Sequence, residues 1–340
     1  NEQMKIAIVH NRFKDGVICS FGRRCRERYS PKHVNLVAKA LHDAGHCVWV
    51  LEADMRLLST LQDLMPSDSE GRPTGLVFNM AYGIQGNARY THVPAMLEMA
   101  GVPYTGSNPM GHGLSLDKVV TKILLENAGV PTPRYAVLNA GRCEHDLRFP
   151  LVVKPRHEST SYGLKLVENQ AELEYAVGDI VEMYAQDALV EEYIDGREVC
   201  IGLLGNDPIE CLPAVELDFG GRGLKLMTFD DKYHRREDEP EKICPAPLST
   251  LALAELNECA RATFRACHVL DYGRVDFRIA ENGQPYVLEI NSMASLGTGG
   301  SYVYSAKATG RRFEDLIEEI VEVTARRYGV AEVAPALVSA

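Results

Sequence analysis

Short apolar runs alternate with helix-spaced segments from the start of the chain. Lys5-Ile-Ala-Ile-Val9 reads as a buried strand, and between Pro31 and Ala44 the residues Val34, Val37, Ala38 and Leu41 share one helical face before Gly45 closes the helix. His46-Cys-Val-Trp-Val-Leu51 returns to strand character, so strand, helix and strand open a parallel sheet. Leu76 to Asn79 predicts another strand, Tyr82-Gly-Ile-Gln-Gly-Asn87 a loop, and His92 to Ala100 a helix stopped by Gly101. An N-terminal α/β unit is therefore expected over residues 1–107. A second unit, 108–194, starts with a helix from Asp117 to Asn127 and breaks at Gly-Val-Pro-Thr-Pro, residues 129–133. It continues through strands at Leu151–Pro155, Leu164–Val167 and Ala188–Tyr193, with a helix from Gln170 to Tyr184. Two strands joined by a small-residue loop, beside a helix, predict an α+β unit that closes over a ligand. The third unit, 195–329, carries strands at Val199–Leu204, Val275–Ile279 and Tyr286–Ile290, and Tyr302 and Tyr304 alternate as on a strand. Residues 330–340 lack periodic signals and read as a disordered tail.

The most informative stretch is Gly273-Arg-Val-Asp-Phe-Arg-Ile-Ala-Glu-Asn-Gly-Gln-Pro-Tyr-Val-Leu-Glu-Ile-Asn291. Asn282-Gly283 between two alternating runs predicts a hairpin with a two-residue type I′ turn. In that register Glu281 lies opposite Gln284, Asp276 opposite Glu289 and Arg274 opposite Asn291. Residues two apart share a face, so these last four side chains lie together, with opposed Cβ atoms roughly 4.5–5.5 Å apart. Opposed carboxylates repel unless a cation lies between them. A divalent ion with oxygen ligands from Asp276, Glu289 and Asn291 removes that repulsion, and Mg²⁺ so held takes its remaining ligands from phosphates and water. This is a nucleotide-phosphate site in outline. The competing reading is a solvent-facing hairpin with scattered charges, and a longer turn would change the register. The apolar Val275, Phe277, Val287, Leu288 and Ile290 argue for a buried hairpin whose polar members need partners.

Composition narrows the partners. With 46% hydrophobic and 24% charged residues over 340 positions, the chain reads as a packed protein of two or three units rather than a disordered one. The net charge of −11 argues against broad attraction to nucleic acid, so phosphate must be bound locally. Arg23-Arg24-Cys25-Arg26-Glu27-Arg28 is the local exception, readable as a solvated loop or as a substrate contact. No apolar run approaches the ~20 residues of a membrane span, and the first residues show no targeting pattern, so no membrane partner and a cytoplasmic location are expected. Nine cysteines without a C-x-x-C are read as reduced and mostly buried. His42 and His46 are read as surface residues rather than metal ligands.

With the hairpin in view, a series of motifs falls in order. They are Gly106-Ser107, Asp117-Lys118, Thr121-Lys122, Val153-Lys154-Pro155, Ser159-Thr-Ser-Tyr-Gly163, Leu189-Val-Glu-Glu-Tyr-Ile-Asp-Gly-Arg-Glu198, Asp231-Lys232-Tyr233, Gly273-Arg-Val-Asp276 and Leu288-Glu-Ile-Asn291. By these the chain resembles the ATP-grasp carboxylate–amine ligases, most closely the D-alanine–D-alanine ligase group. The resemblance implies a three-domain ATP-grasp architecture of α/β and α+β units, with the nucleotide between the central and C-terminal domains. It implies ATP with Mg²⁺, or Mn²⁺ in its place, small-molecule carboxylate and amine substrates, and a homodimer. Lys118, Lys154 and Thr160 would contact phosphates, and Glu191, Glu192, Tyr193, Ile194 and Glu198 the adenosine end. Asp276, Glu289 and Asn291 would hold the metal. Ser161, Lys232 and Arg274 would be catalytic, the two cations neutralising the transferred phosphoryl group and acyl phosphate. Arg28, Tyr82, Tyr233, Ser295, Gly300 and Ser301 would line the substrate sites. Such chemistry needs positioning and charge neutralisation rather than a covalent nucleophile, and the sequence carries no G-x-S-x-G signature.

Three departures from the family pattern bear on the substrate. Arg28-Tyr29-Ser30 stands where the family has Glu-x-Ser, and Tyr82-Gly-Ile-Gln-Gly-Asn-Ala-Arg89 where it has His-Gly-x-x-Gly-Glu-Asp-Gly. Asn291-Ser-Met-Ala-Ser295 replaces Asn-x-x-Pro-Gly. An ammonium site has become neutral to basic, which predicts an acyl donor with a blocked or anionic group, such as a peptide or specialised metabolite. Two alternatives stand beside this. One is genuine D-alanine–D-alanine synthesis, with Glu27 supplying the missing carboxylate; the other is a noncatalytic nucleotide-binding protein.

Overall fold

The first apolar run folds as β1 (Lys5–His10), flanked in parallel by β2 (Cys47–Glu52) and β3 (Gly75–Met80). As the middle strand, β1 is covered on both sides, Ile6 and Ile8 joining one apolar cluster and Ala7 and Val9 another. A strand buried on both faces reads as a continuous apolar run rather than an alternating one. The helix Pro31–Asp43 starts on Ser30, whose side chain accepts the His33 backbone N–H at 3.3 Å, with Pro31 in the first turn. Its buried Val34, Val37 and Leu41 share a core with Leu316, Ile317, Ile320 and Val321 of the helix Phe313–Tyr328. This last described helix thus returns to the first sheet.

The structure is a computed structural model and describes residues 3–12, 22–159, 161–221 and 240–330. Thr160, Lys232, Tyr233 and the expected tail beyond Val330 lie outside the described residues.

The central strands β4 (Tyr135–Leu138), β5 (Leu151–Pro155), β6 (Lys165–Val167) and β7 (Ala188–Glu192) pair in the order β4-β7-β5-β6, all antiparallel. The helix Gln170–Tyr184 covers one face, placing Leu173, Val177 and Ile180 against Leu151, Val153 and Val190. Strand alternation then turns Val152, Lys154 and Glu191 to the opposite face. The third sheet is built from β8 (Gly196–Leu204), β9 (Glu210–Cys211), β10 (Val215–Asp218), β11 (Glu241–Ile243), β12 (Tyr272–Ala280) and β13 (Pro285–Asn291). Its order is β11-β10-β8-β12-β13, with β9 on β8. The helix Thr250–Ala266 backs it through a core containing Val275, Phe277 and Ile279, which leaves Arg274, Asp276 and Arg278 on the other face. No described helix is long and apolar enough to cross a membrane.

The β12–β13 hairpin corrects the expected turn. Glu281-Asn282-Gly283 forms a three-residue loop, with Ala280 N–H donating to the Gln284 carbonyl and Gly283 N–H to that of Ala280, both at 2.9 Å. Gly283 takes φ 87°, the left-handed residue that closes such a loop. Near the turn the pairing is therefore one residue off expectation, Phe277 opposite Val287 and Arg278 opposite Tyr286. A β-bulge at Leu288 absorbs the shift, and Asp276 lies opposite Glu289 and Arg274 opposite Asn291. The expected pairing of Glu281 with Gln284 does not form.

Three smaller readings are also corrected. Tyr302 and Tyr304 lie on the helix Ser301–Ala308, where Tyr302 is buried and donates to the Leu203 carbonyl at 3.0 Å. His46 is buried, accepting the Met4 N–H at 3.1 Å on Nδ1 and facing Glu318 at 3.0 Å through Nε2; it joins the residue before β1 to the helix Phe313–Tyr328. Of the described cysteines, all free, only Cys200 and Cys267 are buried.

Candidate active site

The central sheet, the third sheet and the loops after β1 and β3 enclose a cavity of about 730 Å³. The site residues expected from sequence that fall among the described residues all line it.

On the central-sheet side the charges are tightly paired. Asp117 caps the helix Lys118–Asn127, accepting the N–H groups of Val119 and Val120 at 3.0 and 3.2 Å, which sets Lys118 at the helix start. Glu191 is clamped between Lys154 and Lys122, each at 2.5 Å. Burial opposes the Glu191 charge, but the two ammonium groups override it and pull the carboxyl down to about 2. Burial lowers the Lys118 ammonium below its ordinary value; its Nζ bonds the Glu158 carbonyl and lies 3.9 Å from Glu289. Asp117 also holds Arg156 through two bonds of 2.8 and 2.7 Å, anchoring the loop that carries Ser161 into the cavity.

Of the residues expected at the adenosine end, Glu191 and Glu192 are divided by strand alternation. Glu191 faces inward, whereas the Glu192 carboxylate is held by Arg134 at 3.0 Å and Arg148 at 3.1 Å. Glu198 pairs with the buried Arg278 at 3.2 Å, and that guanidinium stacks 5.2 Å from the Tyr193 ring. Tyr193, Ile194, Val199, Leu217 and the bulged Leu288 supply apolar surface. The bulge thus puts both Leu288 and Glu289 on the cavity wall, an arrangement that strict alternation forbids.

Opposite the lysines stand Asp276, Glu289 and Asn291. Arg274 grips Asp276 through bonds of 2.6 and 2.8 Å, and Asn291 Nδ2 donates to Asp276 at 3.2 Å. Burial opposes the Arg274 charge, but Asp276 raises that guanidinium above the ordinary arginine range. Repulsion between the opposed carboxylates is therefore already relieved, by Arg274 on Asp276 and by Lys118 near Glu289, and does not by itself demand a metal. Among the described residues no cluster of three or more His, Cys, Asp or Glu side chains is placed to hold one. Two carboxylates and one amide nevertheless form an all-oxygen donor set once the Asn291 amide is turned, and hard oxygen donors fit Mg²⁺.

At the far end lie the segments that depart from the family pattern. Ser295, Gly297 and Gly300 form a loop on the cavity wall that leads into Ser301 at the helix start, and the Gly300 N–H donates to the Gly297 carbonyl at 2.8 Å. Tyr29 accepts the Leu296 N–H at 3.0 Å and stacks on Tyr82 at 5.3 Å between ring centroids. Arg28 reaches the wall with its guanidinium 3.5 Å from the Arg12 carbonyl. Glu27, Arg89 and Tyr90 form a cluster here that the sequence does not reveal as one. The signals available singly were Glu27, the alternative source of the missing family carboxylate, and Arg89 at the end of the departing segment from Tyr82.

Comparisons with known proteins bear on the family and the fold. The family described as "D-ala D-ala ligase C-terminus" matches residues 124–322. A Sinorhizobium fredii chain described as "Uncharacterized protein y4sG" is 49% identical over 330 residues, covering 96% of this chain and 98% of that one. The D-alanine–D-alanine ligase of Alcanivorax borkumensis is 35% identical over 273 residues, 80% of this chain and 85% of its own length. In fold the chain is similar to the Bacillus anthracis D-alanine–D-alanine ligase complexed with ATP, with a TM-score of 0.74 at 22% identity, covering 97% of this chain and 100% of that one.

Proposed function

Because the chain belongs to the D-alanine–D-alanine ligase family of ATP-grasp enzymes, which are ATP-dependent, ADP-forming ligases, we propose that it joins a carboxylate to an amine using an acyl donor other than free D-alanine. A donor carboxylate oxygen attacks the γ-phosphorus of ATP and ADP departs, leaving an acyl phosphate. The amine nitrogen then attacks the acyl carbon, inorganic phosphate leaves with the bonding pair, and the amine gives up a proton as the amide forms. Lys118 and Lys154 bind the phosphates from the central-sheet side, and Ser161 donates from the loop above them. Tyr193, Ile194 and Leu288 pack the base, and Glu191 holds Lys154 in place rather than meeting the nucleotide alone. Arg274 neutralises charge on the transferring phosphoryl group. Asp276, Glu289 and Asn291 would hold Mg²⁺, which supplies further charge neutralisation on the phosphates when bound. Lys232 and Tyr233 are assigned to the reacting acyl group, and Ser295, Gly300 and Ser301 to the second substrate's carboxylate.

One observation supports this reading above the others: Lys118 and Lys154 face Asp276, Glu289 and Asn291 across a single cavity sized for nucleotide and donor, with Arg274 beside Asp276. The changed donor end, basic at Arg28 and lined by Tyr29 and Tyr82, favours a donor without a free ammonium. The same reading carries a cytoplasmic site of action, where ATP is held, and assembly as a homodimer. Amine-dependent ADP release across a panel of carboxylates tests it; strong turnover confined to D-alanine rules out the changed donor, and absence of ADP release with every pair rules out the ligase.

A further inference from the structure

We propose that Arg89 sets donor specificity by occupying Glu27 from within the protein, so that the donor end accepts carboxylates without a nearby ammonium, a role that rests on the ligase reading above. Glu27 and Arg89 are 9% and 3% exposed, and both Glu27 oxygens are taken. Arg89 Nη2 donates to Oε1 at 3.2 Å and the Tyr90 hydroxyl to Oε2 at 2.5 Å. The other carboxylate at this end, Glu158, accepts from Gln186 at 2.9 Å and lies 3.6 Å from Arg89. An ammonium arriving here would find each acid already committed and the Arg28 guanidinium close by.

Arg89 is held where it is by backbone. Gly83, at φ 82°, passes so near that a Cβ would sit 2.0 Å from the Arg89 carbonyl, a contact only glycine permits. The segment before Glu27 is tied to the same loop by Cys25 N–H to the Ile84 carbonyl at 2.7 Å and Gly86 N–H to that of Arg23 at 2.8 Å. The second guanidinium nitrogen, Nη1, donates to the His157 carbonyl at 3.0 Å, so the pair also touches the phosphate loop. Burial opposes the Arg89 charge, but Tyr90, Glu27, Cys25 and Glu158 together hold it above the ordinary arginine range. A substrate ammonium must displace a desolvated, preorganised cation, whereas a neutral or anionic group need not.

The test uses the full chain and a matched donor pair: one α-amino acid and its N-acetyl derivative. Preference is read twice, as kcat/KM for ADP release and as Kd by calorimetry with a nonhydrolysable ATP analogue. The wild type should favour the acetylated member, and Arg89→Met, which frees Glu27, should move both ratios toward the free amino acid by about tenfold or more. Loss of Arg89 leaves a buried carboxylate unpaired. If that variant does not fold, Glu27→Gln/Arg89→Met removes both charges and should still bring the ratio closer to unity. A wild type that prefers the amino acid, or a Kd ratio unmoved in whichever variant folds, overturns the proposal. Selective carboxylate binding without ADP release in any protein refutes the ligase reading instead and leaves the Kd ratio as the measure of Arg89.

Discussion

The two ends of the cavity solve the same electrostatic problem by different means. At the hairpin end the opposed Asp276 and Glu289 are positioned by strand pairing, and their compensating cations are Arg274, two residues along the same strand, and Lys118 at a helix start. At the other end Glu27, in a loop, is compensated by Arg89, 62 residues away at the start of the single 3-10 turn Arg89–Thr91. The first arrangement leaves acids beside exposed cavity space, where a metal and phosphates can join them; the second closes the acid off. Asp276, paired along its own strand, stays beside that space, and Glu27, paired with a buried cation from a distant segment, becomes part of the wall.

Breaking the hairpin end should have the largest effect. Asp276→Asn removes one metal oxygen and leaves Arg274 without its partner, so ADP formation should fall on the order of 10³-fold, while circular dichroism reports a folded protein. Undiminished turnover would reject the metal assignment. The clamp on the central sheet comes next, and it separates stability from chemistry. Glu191→Gln strands Lys122 and Lys154 as buried cations and should lower unfolding free energy by about 3–5 kcal/mol in denaturant titration. Because the Glu191 carboxyl is depressed from 4.5 to about 2 in the folded state, its stabilisation is complete above the unfolded value and is lost as pH falls through that interval. The wild type should therefore lose stability more steeply than Glu191→Gln between about pH 4.5 and 2, and parallel acid profiles would show that the clamp contributes nothing.

What could be read from the sequence follows the range of the forces involved. The buried run at Ile6 to Val9, the helix after Ser30 and the alternation that points Lys154 and Asp276 into the cavity are set by neighbours within a few positions. The pairing of Asp276 with Glu289 was legible too, but through two compensating departures: a turn longer by one residue and a bulge at Leu288. A turn's length depends on which residue takes the left-handed conformation, and a bulge on packing across the cavity; neither leaves a mark on binary patterning. Tyr302 misled because two aromatic residues two apart fit a strand as well as a helix, and burial against Leu203 decided between them. Buried His46 and the Glu27–Arg89 pair were illegible for a plainer reason, since each joins segments far apart in the chain.

The smallest effect is the sharpest test of how the hairpin end is set. Gly283 sits at φ 87° with nothing within 4 Å of the position a Cβ would take, so an alanine there meets conformational strain and no clash. Gly283→Ala should lower stability by roughly 1–2 kcal/mol, read as a shift in urea midpoint, while Gly283→Asn should recover most of it because asparagine tolerates the left-handed region. The Leu288 bulge separates the turn from the metal-side pairs, so kcat for ADP release should stay within about twofold of wild type in both variants. If Gly283→Ala instead removes activity along with stability, the turn sets the register of Asp276 and Glu289 directly, and the bulge is a consequence of that register rather than its guard.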